Sequence, residues 1–104
     1  MIDTADATGD ELLLALAALG NPQRLRIIAA LHSGRNYVSQ LARDLSISRP
    51  LLYLHLQRLE AAGLVQGALE LSAQGKAMKY YEVVPFDLDL NPTRIAQAVR
   101  TLTT

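Results

Sequence analysis

The stretch SRPLLYLHLQRLEAAGLV, Ser48 to Val65, decides how this chain folds. It carries the signals of one helix with a defined start and stop. The Ser48 hydroxyl can accept a hydrogen bond from a free N–H of the first turn. Pro50 falls in that turn, where its missing N–H costs nothing. Gly63 suits the left-handed position just past the end. Leu52, Leu56 and Leu59 recur at helical spacing and face a core. Arg49, Tyr53, Gln57 and Arg58 occupy other faces and carry hydrogen-bond donors. Just upstream, Val38 to Leu45 reads as a second short helix, followed by a tight Ser46-Ile47 turn. Two short helices joined this way, the second presenting polar donors along its N-terminal half, read as a helix-turn-helix.

Outward from that pair, the same signals recur. Toward the N-terminus, Asn21-Pro22 is a cap followed by a proline at the first helical position, so a helix runs from there to about His32. Its expected buried side holds Leu25, Ile28, Ala29 and Leu31 or His32. Asp10 to Leu19 is a further helix, apolar over most of its circumference through Leu12, Leu13, Leu14, Leu16 and Leu19. Such a helix is covered on more than one side. In a domain this small, one side faces the core and the other a second subunit. Met1 to Gly9 is polar and expected to fray. Asn36 or Tyr37 is expected to open the Val38–Leu45 helix, with Val38, Leu41 and Leu45 as its core stripe.

Toward the C-terminus the period changes. Leu64 to Leu71 and Ala77 to Val84 suit strands, and Ser72 to Lys76 is a glycine-containing turn between them. The pair reads as a β-hairpin, a wing behind the two helices. Phe86 to Leu90 is an extended linker. Asn91-Pro92 repeats the cap-plus-proline signal, so a last helix is expected from Pro92 to about Leu102, with Ile95, Ala96, Val99 and Leu102 as one apolar stripe. The expected architecture is mainly α, one winged helix-turn-helix domain over residues 1–104 in the order α-α-α-α-β-β-α. Leu12, Leu13 and Leu16 of the first helix and Ile95, Val99 and Leu102 of the last are apolar surface beyond what a small core needs.

Composition narrows the function classes. The chain has 104 residues, half of them hydrophobic, which suits one small domain that gains from dimerisation. It has no cysteine, so no disulfide framework and no thiolate metal site. No apolar run approaches the roughly 18 residues of a membrane span. The N-terminus carries Asp3, Asp6, Asp10 and Glu11 in place of a basic leader region, so a cytoplasmic location is expected. Net charge is zero, but its distribution is uneven. Leu12 to Leu59 holds six arginines and one acid, Asp44, while both flanks are acidic. A basic middle on an acidic body is compatible with a DNA-facing surface. An enzyme needs a nucleophile, a base and a pocket, and no such arrangement stands out.

The runs ALGNPQRLRIIAAL (Ala18–Leu31), VSQLARDLSISRPLLYLHLQRLEAAGLV (Val38–Val65) and GKAMKYYEV (Gly75–Val83) resemble bacterial winged-helix repressors of the ArsR/SmtB type. The resemblance covers the chain from about Leu12 to the end. It implies a homodimer packed through the first and last helices. It implies operator DNA as ligand, with the Ser48–Ala62 helix in the major groove. It also implies an effector, often a metal ion, that releases the DNA. Classical sensors of this type hold thiolates in the third helix, in a pattern like C-V-C-D-L. The matching positions here are Tyr37-Val38-Ser39-Gln40-Leu41, hydroxyls in place of both thiolates. A second site of the family uses Asp and His in the last helix, which has no histidine here.

The candidate DNA contacts follow. Arg49, Pro50, Tyr53 and Leu54 lie on the groove-facing half of the recognition helix; Arg can read guanine and Leu can meet a thymine methyl. Gln57 and Arg58 lie farther along and suit phosphate. Ser39, Gln40 and Arg43, with Arg35, suit the DNA backbone. In the wing at 72–79, Lys76, Lys79 and Gln74 suit phosphate or the minor groove. No resident cofactor and no metal site are expected. His55 reads as a partly buried, hydrogen-bonded ring, and His32 as a helix-end residue. A borderline divalent metal on His32 or His55 with Asp3, Asp6 or Asp89 is the alternative sensor reading. A module that works only through a partner protein is the other.

Overall fold

The computed structural model describes residues 2, 3 and 6–104. Along the chain run β1 (Ile2–Asp3), α1 (Gly9–Leu19), α2 (Pro22–His32), β2 (Asn36–Tyr37), α3 (Val38–Leu45), α4 (Arg49–Ala61), β3 (Val65–Leu71), β4 (Ala77–Val83), β5 (Phe86–Asp87) and α5 (Pro92–Val99). The architecture is a mainly helical winged helix-turn-helix, as expected. Four helices start at side-chain caps. The Thr8 hydroxyl accepts from the Glu11 N–H and the Glu11 carboxylate accepts from the Thr8 N–H, both at 3.1 Å, a reciprocal capping box. Asn21 accepts from the Gln23 and Arg24 N–H groups. Ser48 accepts from Leu51 N–H at 3.3 Å, and Asn91 from Arg94 N–H at 2.8 Å.

The sheet has one strand more than the hairpin. β3 and β4 pair antiparallel from Val65↔Val83 to Leu71↔Ala77. β2 joins the other edge of β4 through Asn36↔Tyr81 and Tyr37↔Tyr80, giving the order β2-β4-β3. Tyr37 opens α3 as its N-cap, without a side-chain cap bond, while Asn36 and Tyr37 are themselves extended and the helix proper begins at Val38. A two-residue strand is too short to show alternation, so only tertiary pairing reveals it.

The N-terminal stretch is also more ordered than expected. β1 pairs parallel with β5 through Ile2↔Phe86 and Asp3↔Asp87, Thr8 caps α1, and Gly9 is already helical and buried. The expected frayed segment and extended linker are thus partly strands; residues 1, 4 and 5 of that segment lie outside the described residues.

Leu52, Leu56 and Leu59 of α4 are fully buried, as their spacing requires, against Ile27, Leu41, Leu64 and Val65. On α2 the buried residues are Ile27 and Leu31, while Leu25 is 54% exposed, one position out of phase with expectation. The apolar run LRII covers more than one face, so periodicity alone does not fix the phase. On α1 the buried stripe is Gly9, Leu12, Ala15 and Ala18. Leu12 packs inside its own subunit and offers no surface to a second one, a correction to its expected role. Leu13, Leu14 and Leu16 are exposed.

α5 crosses α1 closely because Gly9 has no side chain. A Cβ there would lie 2.1 Å from the Ala98 carbonyl oxygen and 2.9 Å from Leu102 Cγ. Polar bonds lock the crossing: Gly9 N–H donates to Thr101 Oγ1 at 2.6 Å, Thr103 donates to Asp10 through N–H and hydroxyl, and Arg94 donates to the Ala7 carbonyl at 2.8 Å. α5 ends at Val99, earlier than the apolar stripe implies. Its buried residues are Arg94 and Ala98, whereas Ile95 and Val99 are 48% and 56% exposed. Leu102 lies past the helix, half-buried over Gly9, so it too serves the subunit's own packing.

Candidate nucleic-acid interface

The turn between α3 and α4 is built on Ser46, held left-handed at φ 55° with its N–H returning to the Ala42 and Arg43 carbonyls. This turn, with buried Leu41 and Leu52, fixes α4 across α3. With one face of α4 committed to the core, Arg49, Pro50, Tyr53, Leu54, Gln57 and Arg58 are all exposed, together with Leu51.

One open cleft lies between the start of α3, the first half of α4 and the wing. It is lined by Tyr37, Val38, Ser39, Arg49, Tyr53, Leu69, Lys76, Ala77, Met78 and Lys79. Ser39, Arg49, Tyr53, Lys76 and Lys79, expected to act together, are therefore neighbours. Every charged residue lining the cleft is cationic. Pro50, Leu54, Gln57 and Arg58 share the α4 surface but do not line this cleft. Gln40 and Arg43 stand apart as well. Gln40 donates to Asp44 at 2.7 Å, Arg43 donates to Gln40 at 2.7 Å, and Asn36 donates to the other Asp44 oxygen at 3.3 Å. Leu69, Met78 and Tyr37 were not legible as cleft residues, because nothing local places the hairpin over α4.

Arg35 is held by the wing. Its guanidinium pairs with Glu70 of β3 at 2.9 Å and lies 4.3 Å over the Tyr80 ring. The Tyr37 hydroxyl donates to the same Glu70 carboxylate at 2.8 Å, and the Tyr37 and Tyr80 rings meet edge-on at 6.3 Å. The Tyr37 hydrogen bond, followed by Arg35, holds the Glu70 carboxyl below the usual carboxylate range; the same hydrogen bond pushes the Tyr37 phenol up. This cluster ties the outer half of the wing, one pair short of its turn, to β2. The turn at its tip is closed by Ser72 N–H to the Lys76 carbonyl and Gly75 N–H to the Ser72 carbonyl, both 2.8 Å, with Gly75 at φ 75°.

Behind α4, Arg24 reaches into the interior. Its Nε donates to the Ala18 carbonyl at 2.5 Å, its Nη2 to Ala17 at 3.3 Å, and its Nη1 lies 3.2 Å from His55 Nδ1. His55 is the buried, hydrogen-bonded ring its position implied. His32 is exposed at the end of α2, beside an apolar groove with Leu25, Val83 and Phe86. Among the described residues no three His, Asp or Glu side chains are grouped to hold a metal ion. At the family's thiolate positions stand Tyr37, whose hydroxyl is committed to Glu70, and Ser39, a cleft residue. Neutral hydroxyls do not fit a soft metal.

Residues 21–66, from the cap of α2 to the start of β3, match the family described as bacterial regulatory protein, arsR family. An uncharacterized HTH-type transcriptional regulator of Methanocaldococcus jannaschii is 38% identical over 69 residues, covering 66% of this chain and 72% of that protein. The HTH-type transcriptional repressor SmtB of Mycobacterium tuberculosis is 44% identical over 62 residues, covering 60% of this chain and 43% of the repressor. A homodimeric winged helix-turn-helix DNA-binding domain from Mycobacterium bovis superposes with a TM-score of 0.61 at 26% identity, over 71% of this chain and 64% of that one. The chain belongs to the ArsR family of bacterial transcriptional regulators.

Proposed function

We propose that the chain is a cytoplasmic homodimer that regulates transcription by binding a pseudo-palindromic operator, α4 lying in the major groove. The observation that carries this reading is the cleft that gathers Ser39, Arg49, Tyr53, Lys76 and Lys79 with no acid on its walls. Arg49 opens α4, the end of a recognition helix that meets base edges, and its fork matches the O6 and N7 acceptors of guanine. Tyr53 follows one turn later. Ser39, in the first turn of α3, suits a phosphate oxygen, and the lysines of the wing suit the backbone beside the groove. Gln57 and Arg58 extend the contact along α4; Gln40 and Arg43 meet phosphate only by leaving their bonds on α3.

A second copy is the partner that the apolar side of α1 and α5 calls for. Leu13 is 52% exposed, Leu16 37%, Ile95 48% and Val99 56%. The Mycobacterium bovis domain with the same fold is homodimeric. Two recognition helices related by a two-fold axis fit an operator of the same symmetry. The reading includes no resident cofactor. No helix among the described residues is long and apolar enough to cross a membrane.

The test is binding to duplex DNA from upstream of the chain's own coding sequence, at two salt concentrations, with and without a panel of divalent metals. Affinity is expected to fall steeply with salt. Arg49→Ala is expected to lose about 1–3 kcal/mol and to relax specificity at one base pair per half-site. A metal that changes affinity would assign a sensor role, and a wild-type protein that binds no duplex would move α4 to a protein partner.

A further inference from the structure

We infer that Leu69 and Leu71 form an apolar wedge on the wing that enters the DNA minor groove and selects A·T over G·C pairs there. The inference rests on the DNA-binding reading and adds a second element of specificity to it. These are the two most exposed large hydrophobic side chains among the described residues, at 70% and 72%. Alternation along β3 puts Val65, Gly67, Leu69 and Leu71 on one face. Val65 is in the core, and Gly67 is covered by the Tyr81 ring, 2.7 Å from where a Cβ would stand. The core ends there, and the same face continues outward as bare leucine. That face looks toward α4, for Leu69 shares the cleft with Arg49 and Tyr53.

The surroundings favour DNA as the occupant. Leu69 stands opposite Lys79 and Leu71 opposite Ala77, with Lys76 at the turn. An apolar ridge bordered by lysines matches a groove whose walls are phosphate and whose floor is sugar and base. The other face of the hairpin is stiffened by Glu70, held by Arg35 and Tyr37. A wedge needs that backing, since parting stacked bases costs free energy. The choice of base follows from the floor of the groove. A G·C pair projects the guanine N2 amino donor there, and an A·T pair does not. Leucine laid over that donor strips its water and offers no acceptor in return.

The probe is a set of duplexes selected by the wild-type protein from a random pool. At the flanking positions under the wing, each A·T pair is replaced by G·C or by inosine·C, which has the major-groove pattern of G·C without the N2 amino group. Wild-type affinity is expected to fall about tenfold with G·C and to hold with inosine·C. Leu69→Ser/Leu71→Ser is expected to bind A·T, inosine·C and G·C flanks alike while keeping the central preference. Both side chains are exposed, so its circular dichroism melt should match the wild type; Leu71→Ser alone should show part of the effect. The wedge is overturned if wild type treats G·C and inosine·C flanks alike, or if the double variant keeps the wild-type preference. Either result leaves central, Arg49-dependent binding standing. Failure to select any duplex overturns the DNA-binding reading and the wedge with it.

Discussion

Arg24 Nη1 and His55 Nδ1 lie 3.2 Å apart, joining the start of α2 to the middle of α4 while the same guanidinium holds the Ala17 and Ala18 carbonyls at the end of α1. A guanidinium only donates, so Nδ1 accepts and the ring is neutral. Burial, then the charges of Arg24 and Arg58, hold the His55 pKa below its ordinary 6.5. The folded state therefore binds fewer protons than the unfolded state once the pH drops below that value. Stability from this group is complete above about pH 6.5 and is lost as the pH falls toward and through the lower folded pKa. Thermal melts from about pH 7.5 to about pH 5.5 should show a declining midpoint. His55→Gln keeps an acceptor without a titrating group and should flatten that decline. An unchanged slope in the variant would remove His55 as its source.

Gly9→Ala tests the α1–α5 crossing. The added methyl would stand 2.1 Å from a backbone oxygen of Ala98, which no rotamer change relieves. The helices must separate, stretching the Gly9–Thr101 and Asp10–Thr103 bonds. Ala is ordinarily the better helix former, so propensity alone predicts a gain. The clash should win, with a net loss of about 1–3 kcal/mol in urea unfolding. A variant as stable as wild type would mean that the helices do not approach this closely.

Val99→Asp and Leu12→Ala separate the two uses of apolar side chains in these helices. Val99 is 56% exposed, so a charge there should leave the subunit folded and shift sedimentation to a monomer. Leu12 is 4% exposed. Its truncation should cost about 2–5 kcal/mol of subunit stability by leaving a cavity. A Val99→Asp protein that sediments as a dimer would place the interface elsewhere.

That contrast also marks what the sequence could reveal. Strong local signals were legible: Asn21-Pro22, Ser48-x-Pro50 and Asn91-Pro92 open helices where the structure has them, and Leu52, Leu56 and Leu59 are buried as their spacing requires. Facing was not legible where both sides of a helix are apolar. Nothing local says that Leu12 turns inward and Leu13 outward, because the phase is set by Gly9 meeting Ala98, far away in sequence. Arg35 shows the same limit. Its charge suggested phosphate, but its partner, Glu70, is brought near only when β2 joins the sheet. The cleft residues supplied by the helix-turn-helix and the wing turn were readable from type and spacing; Leu69, on the wing's inner face, was not.

Arg35 and Glu70 give the last test, since they distinguish a braced wing from a direct phosphate contact. Lys76→Ala should reduce the salt dependence of DNA binding by about one counterion without altering hydrogen exchange in β3 and β4. Glu70→Ala releases both Arg35 and the Tyr37 hydroxyl. Exchange in both strands should then quicken, and the salt slope should fall because the wing lysines no longer hold their positions. Arg35→Ala should have the same effect on exchange, with a slope loss no larger than that of Glu70→Ala. If Arg35→Ala lowers the slope while exchange in the wing stays at the wild-type rate, Arg35 leaves Glu70 in the complex to meet a phosphate, and the brace belongs to the free protein alone.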